Sequence, residues 1–267
     1  MLQNPTTQNM GCCFTKGSYN QPKEVQTLWF TKFADDLSQQ TSKHIVITGC
    51  TTGTGFVAAN LAASKGCVVF MLNRPSERAR AALSKIQAAN PAAILYSVDC
   101  DLTSFSSVRV AAGRVGELAG DNGLDVLCCN AGVMALADQA TTDGFDIQIQ
   151  TNHLSHFLLQ KLLFPLVKKA GGRIVNHSSI ARHGKQLEEK YFGKNGGNLG
   201  GDGASMFLGG ARWARYHQSK LAQPVFTAAL KERMGEDSGV TVVTVAPGYA
   251  ATDLQVTSHK SGGECSE

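Results

Sequence analysis

Residues 44–74 read HIVITGCTTGTGFVAANLAASKGCVVFMLNR. An apolar run stops at Thr48 and gives way to Gly49, Gly53 and Gly55 interleaved with Thr51, Thr52 and Thr54. It resumes as an alanine-rich segment and feeds a second apolar run that ends in Asn73 and Arg74. Strand, glycine turn, helix, strand is the reading this order supports. A turn directly after a strand leads into a helix N-terminus, where unpaired backbone N–H groups and the helix dipole favour a diphosphate. Glycines let the backbone approach such a group. The spacing Gly49-x-x-x-Gly53-x-Gly55 is neither GxGxxG nor the P-loop GxxxxGK[ST], since no lysine follows. Taken alone it is also compatible with a tight strand-to-helix turn that holds nothing.

Outward from this unit the chain keeps alternating. Short β-branched runs at 45–48, 68–72, 93–98, 126–130, 174–177 and 240–246 are separated by stretches of helical composition at 53–64, 75–89, 105–119, 144–169 and 212–234. Strands alternating with helices predict a parallel sheet covered on both faces, an α/β doubly wound parallel sheet of the Rossmann type. With 267 residues the chain suits one large domain over 44–267, preceded by a polar extension over 1–43.

Composition excludes several classes. Hydrophobic residues make up 43%, enough for a core, and no window reaches the unbroken apolar length of a membrane span. The net charge of +4 is mild and its lysines and arginines are scattered, so no nucleic-acid partner is expected. The eight cysteines fall mostly in apolar runs without metal-ligand spacing, which predicts buried free thiols in a reducing, cytoplasmic setting, with no disulfide and no bound metal.

The extension is rich in Gln, Thr and Asn, with Leu28, Trp29, Phe30 and Phe33 as an amphipathic anchor for a docked tail. No arginine precedes Arg74 and no basic-then-apolar leader is present, against a targeting peptide. The string from Met10 through Gly11, Cys12 and Cys13 to Thr15 fits a lipid-anchoring myristoylation pattern only if translation begins at Met10.

The chain resembles the short-chain dehydrogenase/reductases over nearly all of 44–254. Their TGxxxGxG motif corresponds to Thr48, Gly49, Gly53 and Gly55, with Thr51 and Thr52 in the same turn. CNAG at 129–132 looks like the family's NNAG, keeping Asn130, Ala131 and Gly132 and placing Cys129 where the first Asn belongs. TNHLSHF at 151–157 places Asn152 as the catalytic asparagine, which in the family holds a water extending the proton path from the lysine. RIVNHSSIA places Ser179 as the catalytic serine, YHQSK supplies Tyr216 and Lys220, and PGYAAT supplies Pro247, Gly248 and Thr252. Asp101 and Leu102 resemble the adenine-side pair. NAGVMA, TNHLSHFLLQKLL and RIVNHSSIA look most like the branch of retinol dehydrogenases and WW-domain oxidoreductases.

The chemistry of the residues agrees. Tyr216 and Lys220 are four apart and share a helix face, so an ammonium beside the phenol is expected to lower its pKa from near 10. General acid–base work at the phenol then becomes available, with Ser179 holding a substrate oxygen. A tyrosine and lysine one helical turn apart are, without such context, more often simply solvated. The second strand ends without a carboxylate, and Arg74 there suits a 2′-phosphate, so NADP(H) is the expected cofactor, with Asn73 or Arg78 assisting.

Together these readings imply interconversion of a lipophilic alcohol and its aldehyde or ketone; a cofactor-binding sensor or scaffold without turnover is the alternative. The connection between Ser179 and Tyr216 is long and glycine-rich and carries Phe192, Met206, Phe207, Leu208 and Trp213, which suits a lid or wall for a bulky apolar substrate as well as it suits packing on the domain. Two features depart from the family pattern. After Thr252 only a short polar stretch remains where the family continues with a covering loop, a helix and a seventh strand, an abbreviated C-terminus that would leave the pocket open and a sheet edge bare. Pro224 lies inside the helix of Tyr216 and Lys220, where a proline removes a backbone bond at a cost of about 3 kcal/mol or kinks the helix. It argues against the homodimer that family members often form through this helix.

Overall fold

The structure, a computed structural model, describes residues 29–203, 210–248, 250 and 254. The opening stretch forms β1 (His44–Thr48), α2 (Gly53–Ser64) and β2 (Val68–Asn73), preceded by a short α1 (Phe30–Asp36). The chain continues through α3 (Glu77–Ala89), β3 (Ile94–Asp99), α4 (Phe105–Ala119) and β4 (Val126–Cys129). Next comes a helix in three parts: a single turn α5 (Ile147–Ile149), a π-helical turn (Gln150–Leu154) and α6 (Ser155–Lys169). Finally β5 (Arg173–His177), α7 (Ala211–Met234) and β6 (Thr241–Val245) complete the order. All six strands are parallel in the sequence β3-β2-β1-β4-β5-β6, the doubly wound arrangement.

Alternation along the strands divides the core into two layers. On β2, Val68, Phe70 and Leu72 face a cluster completed by Val108, Val115, Leu159 and Leu163 of α4 and α6. Val69 and Met71 face the other way, against Ala59 and Ala63 of α2 and Ala82 and Ile86 of α3. Every residue of β2 is buried, as a strand covered on both faces requires. Full burial of one such side chain as Phe70 is worth about 1.5–3 kcal/mol. Cys129, standing where the family motif has asparagine, belongs to the first layer, which explains why an apolar thiol is accepted there.

Cys50, Cys67, Cys100 and Cys129 are buried free thiols, and burial pushes the Cys100 and Cys128 thiols up to about 12. The expected docking of the N-terminal aromatic anchor is corrected by the structure. Trp29, Phe30 and Phe33 are exposed and α1 buries no residue. Seven residues give one apolar stripe too short to cover the domain, and the chain is tied down only beyond it, where Gln40 N donates to Lys65 O at 2.7 Å. Leu28 and the Met10 to Thr15 pattern lie outside the described residues. No helix among the described residues is long and apolar enough to cross a membrane.

Candidate active site

The chain reverses its winding direction between β1 and β4, and the carboxyl ends of these neighbours part to leave the crevice in which such sheets take ligands. Its floor is the glycine turn. Gly49 has φ +73°, and a Cβ on it would stand 2.9 Å from Ala131 Cα; a Cβ on Gly55 would stand 2.1 Å from Gly49 O and 2.4 Å from Asn130 Nδ2. The two turns therefore touch backbone to backbone. Asn130 locks them, donating from Nδ2 to Thr48 O at 2.9 Å and to Gly49 O at 3.1 Å while Oδ1 accepts from Thr54 Oγ1 at 2.8 Å. Thr52, the N-cap of α2, makes no side-chain bond to the first turn, and no acidic side chain occupies that turn. An anionic group is thus free to meet the helix N-terminus there.

Thr48 and His156 join this floor to the neighbouring helix. His156 Nδ1 faces the Asn152 carbonyl at 3.1 Å, so the neutral ring carries its hydrogen there. Its Nε2 then accepts from Thr48 Oγ1 at 2.9 Å, while Thr48 Oγ1 accepts from Ala131 N at 3.0 Å. Burial holds His156 down to about 4, so it stays neutral. His156 was not singled out in the sequence, though its place four residues after Asn152 was the signal available.

Asn152 lies in the π turn, buried, with its amide paired to the Val133 backbone: Oδ1 accepts from Val133 N at 2.8 Å and Nδ2 donates to Val133 O at 2.9 Å. Nδ2 also reaches Ser219 Oγ at 2.8 Å. The Asn152 carbonyl takes the Gln223 side-chain amide as well as His156. Tyr216 and Lys220 are buried one turn apart on α7, with Lys220 Nζ 5.9 Å from the centre of the Tyr216 ring. Lys220 Nζ donates to His177 O at 3.2 Å. A Cβ on Gly132 would lie 3.2 Å from both Lys220 Nζ and Asn152 Oδ1, so a side chain here would crowd the ammonium and the amide that the glycine leaves clear. Ser179 follows β5 and caps a turn through Ala181 N at 3.2 Å.

The expected lowering of the tyrosine is corrected. Burial pushes the Tyr216 phenol above its ordinary value, and the influence of the Ser179 hydroxyl opposes this only in part. The same burial pushes Lys220 down to about 8. Both charged forms lose water, and at this separation desolvation outweighs their mutual attraction.

Other predicted residues fall in varied settings. Asn73 is buried and its Oδ1 accepts from Cys50 N at 2.7 Å, so it holds the turn from beneath. Arg74 is exposed at the end of β2. Asp101 Oδ1 accepts from Thr103 N at 2.9 Å and Thr103 Oγ1 at 2.7 Å, and Leu102 is buried in the first core layer. Thr51 and Thr52 line the turn half-buried; Pro247 and Gly248 are exposed after β6; Thr252 lies outside the described residues.

The long connection is fastened rather than free over its described part. Phe192 meets the His153 ring edge-on with centroids 6.0 Å apart, and Trp213 meets Tyr216 at 6.0 Å. The buried Arg215 donates to Leu199 O at 3.1 Å, Gly201 O at 2.9 Å and Leu136 O at 3.1 Å. Residues 206–208 of the predicted apolar set lie outside the described residues. Pro224 does not end α7, which runs unbroken over 24 residues.

A nicotinamide dinucleotide fits these features: a glycine floor that Cβ atoms would fill, an uncapped helix N-terminus, and a gap at Gly132 in front of the Lys220 ammonium and the Asn152 amide. Fold and crevice together are those of a doubly wound, dinucleotide-binding type of domain. The chain belongs to the short-chain dehydrogenase family, whose model matches residues 43–191, and lies close to its retinol dehydrogenase branch. Bovine retinol dehydrogenase 12 is 36% identical over 214 residues, covering 79% of this chain and 63% of that protein. This chain thus spans slightly under two thirds of such a relative. Among solved structures, an uncharacterized protein from Mycobacterium paratuberculosis is 32% identical, with a TM-score of 0.64 over 86% of this chain and 77% of its own. A metagenomic short-chain oxidoreductase in complex with NADP is 26% identical, with a TM-score of 0.60 over 78% of this chain and 83% of its own.

Proposed function

We propose that the protein is an NADP(H)-dependent oxidoreductase that interconverts a lipophilic alcohol and its aldehyde or ketone. The observation carrying this reading is the convergence at Gly132 of Lys220 Nζ and the Asn152 amide, with Tyr216 buried one turn before the lysine and the Ser179 hydroxyl acting on its phenol. The glycine floor at Gly49, Gly53 and Gly55 would hold the diphosphate, and Lys220 the nicotinamide-side ribose. Exposed Arg74 would meet a 2′-phosphate, with no carboxylate of the described residues paired to it. A bound nicotinamide supplies or accepts the hydride. Ser179 orients the substrate oxygen, and Tyr216 gives that oxygen a proton during reduction or takes one during oxidation. A phenol held above its ordinary pKa is protonated at neutral pH, which favours the role of proton donor to a carbonyl. Similarity to retinol dehydrogenases, together with Phe192 on the connection and Trp213 in the first turn of α7, supports an apolar substrate.

Titration with NADPH by fluorescence, a panel of aldehydes and ketones, and Tyr216→Phe test the reading together. NADPH should bind, at least one apolar carbonyl should oxidise it, and Tyr216→Phe should bind NADPH but lose about 10²–10⁴-fold in turnover. Turnover insensitive to that substitution would refute the mechanism. NADPH binding with no carbonyl consumed would favour a sensor or scaffold.

A further inference from the structure

A proline within an α-helix withholds the N–H that would bond the carbonyl four residues earlier. In α7 that carbonyl is the one on Lys220, because Pro224 stands four residues beyond it. The carbonyl has another partner. Ser178 Oγ donates to Lys220 O at 2.7 Å, a buried bond between segments that are 42 residues apart in the chain. Ser178 is 3% exposed, follows the last residue of β5 and immediately precedes Ser179. The strand end holds the same lysine a second time, through Lys220 Nζ and His177 O at 3.2 Å. Main chain and side chain of one residue are thus bound to two consecutive residues of β5's end. On the other side of Pro224, Gln223 gives its buried side-chain amide to the Asn152 carbonyl in the π turn. The adjacent pair Gln223 and Pro224 therefore ties α7 both to the strand that carries Ser179 and to the turn that carries Asn152.

We infer that Pro224 is a positioning residue for the site: by removing one amide hydrogen it reserves the Lys220 carbonyl for Ser178, and so fixes the height of Ser179 against Tyr216. The inference rests on the oxidoreductase reading given above. In an uninterrupted helix the amide of residue 224 would lie along the axis and take that carbonyl. The serine hydroxyl would then share an oxygen already engaged, or turn away. The strand end would keep its ties to α7 through the lysine ammonium and through Asn176 Nδ2 on Thr227 Oγ1, but would lose the one adjacent to Ser179, whose hydroxyl would be free to drift from the phenol. Angstrom-scale drift of this kind is what separates a competent geometry from an idle one.

The test is a double-mutant cycle of Pro224→Ala, Ser178→Ala and the two combined, read by melting temperature, by NADPH affinity and by kcat and KM for a carbonyl substrate. Pro224→Ala should melt at or above the wild-type temperature, since the helix recovers its bond, and should bind NADPH within about twofold of wild type. Its kcat should nevertheless fall about tenfold. A merely structural role would move activity and melting temperature in the same direction. Ser178→Ala should lower both melting temperature and kcat in the wild-type background and change either little in the Pro224→Ala background. Unchanged kcat in Pro224→Ala, or additive losses across the cycle, would overturn the inference. A wild type without turnover would refute the oxidoreductase reading instead. The melting-temperature cycle would then decide the link alone, coupling upholding it and additivity overturning it.

Discussion

Arg215 Nε lies 3.1 Å from Asp146 Oδ2, with both side chains fully buried. Asp146 also caps α5 through Gln148 N at 2.9 Å and Ile149 N at 3.0 Å, while Arg215 holds the carbonyls of Leu199, Gly201 and Leu136. This pair welds the first turn of α7, with the connection after β5, to the segment after β4 that precedes the π turn carrying Asn152. Arg215→Ala strands a buried carboxylate and frees three carbonyls, and should cost about 3–5 kcal/mol in denaturant unfolding. Limited proteolysis should then cut within 182–203 far faster than in the wild type. A loss below about 1 kcal/mol would show that the pair contributes nothing net.

Burial holds His153, His156 and His177 each down to about 4, against an unfolded value near 6.5. Between those values the unfolded chain binds more protons, so stability falls as the pH drops from 6.5 towards 4. Asp146, pushed up to about 6 mainly by burial, works in the opposite sense, since the native state keeps its proton between 3.8 and 6. Three groups against one leave a net loss of about 2 kcal/mol per pH unit near pH 5. Denaturant midpoints measured from pH 7 to pH 4.5 check this; a flat profile would mean that the histidines gain water or partners as they charge.

Lys220, pushed down to about 8, gives up its proton within the working range of an enzyme assay. Carbonyl reduction should be nearly level from pH 6 to pH 7.5 and decline above about pH 8, as the ammonium beside Tyr216 is lost. Rates measured across this range with NADPH saturating would show the limb, and its absence would remove Lys220 from the proton path.

Arg74→Ala should weaken NADPH by about tenfold or more, roughly 1.4 kcal/mol, while leaving NADH nearly unchanged. Equal losses for the two cofactors, measured by fluorescence titration, would take Arg74 off the 2′-phosphate.

Gly55→Ala would drive a methyl group into Gly49 O and Asn130 Nδ2, at 2.1 and 2.4 Å. Neither the backbone oxygen nor the locked amide can yield, so a loss of about 1–3 kcal/mol in stability is expected. Thermal shift should show both a lower melting temperature and no stabilisation by NADPH. Full retention of both would contradict the backbone contact between the two turns.

Much of the architecture is legible along the chain because it is local. The windows 53–64 and 105–119 coincide with α2 and α4, and the six β-branched runs are the six strands, with boundaries shifted by one residue at most. The helix expected from 144 starts later, at α5, and passes through a π turn, which no periodicity announces because it is a change of hydrogen-bond register under tertiary load. The positions of Tyr216, Lys220, Asn152 and Ser179 were readable as motif residues. The neighbours that place them were not: Ser178 on the Lys220 carbonyl, Gln223 on the Asn152 carbonyl, and His156 bridging to Thr48.

The order of elements, the glycine turn and the pair of residues one helical turn apart were determined by sequence alone, since each depends on spacing within a few residues and on the period of apolar positions. What the tertiary structure decided is charge and fit. How far the Tyr216 and Lys220 protons shift follows from how much water each group loses, and the Lys220 carbonyl that Pro224 leaves without an amide is met by a hydroxyl from just beyond the end of β5. Desolvation and hydrogen-bond satisfaction are properties of surroundings assembled from distant parts of the chain, and no local pattern encodes them.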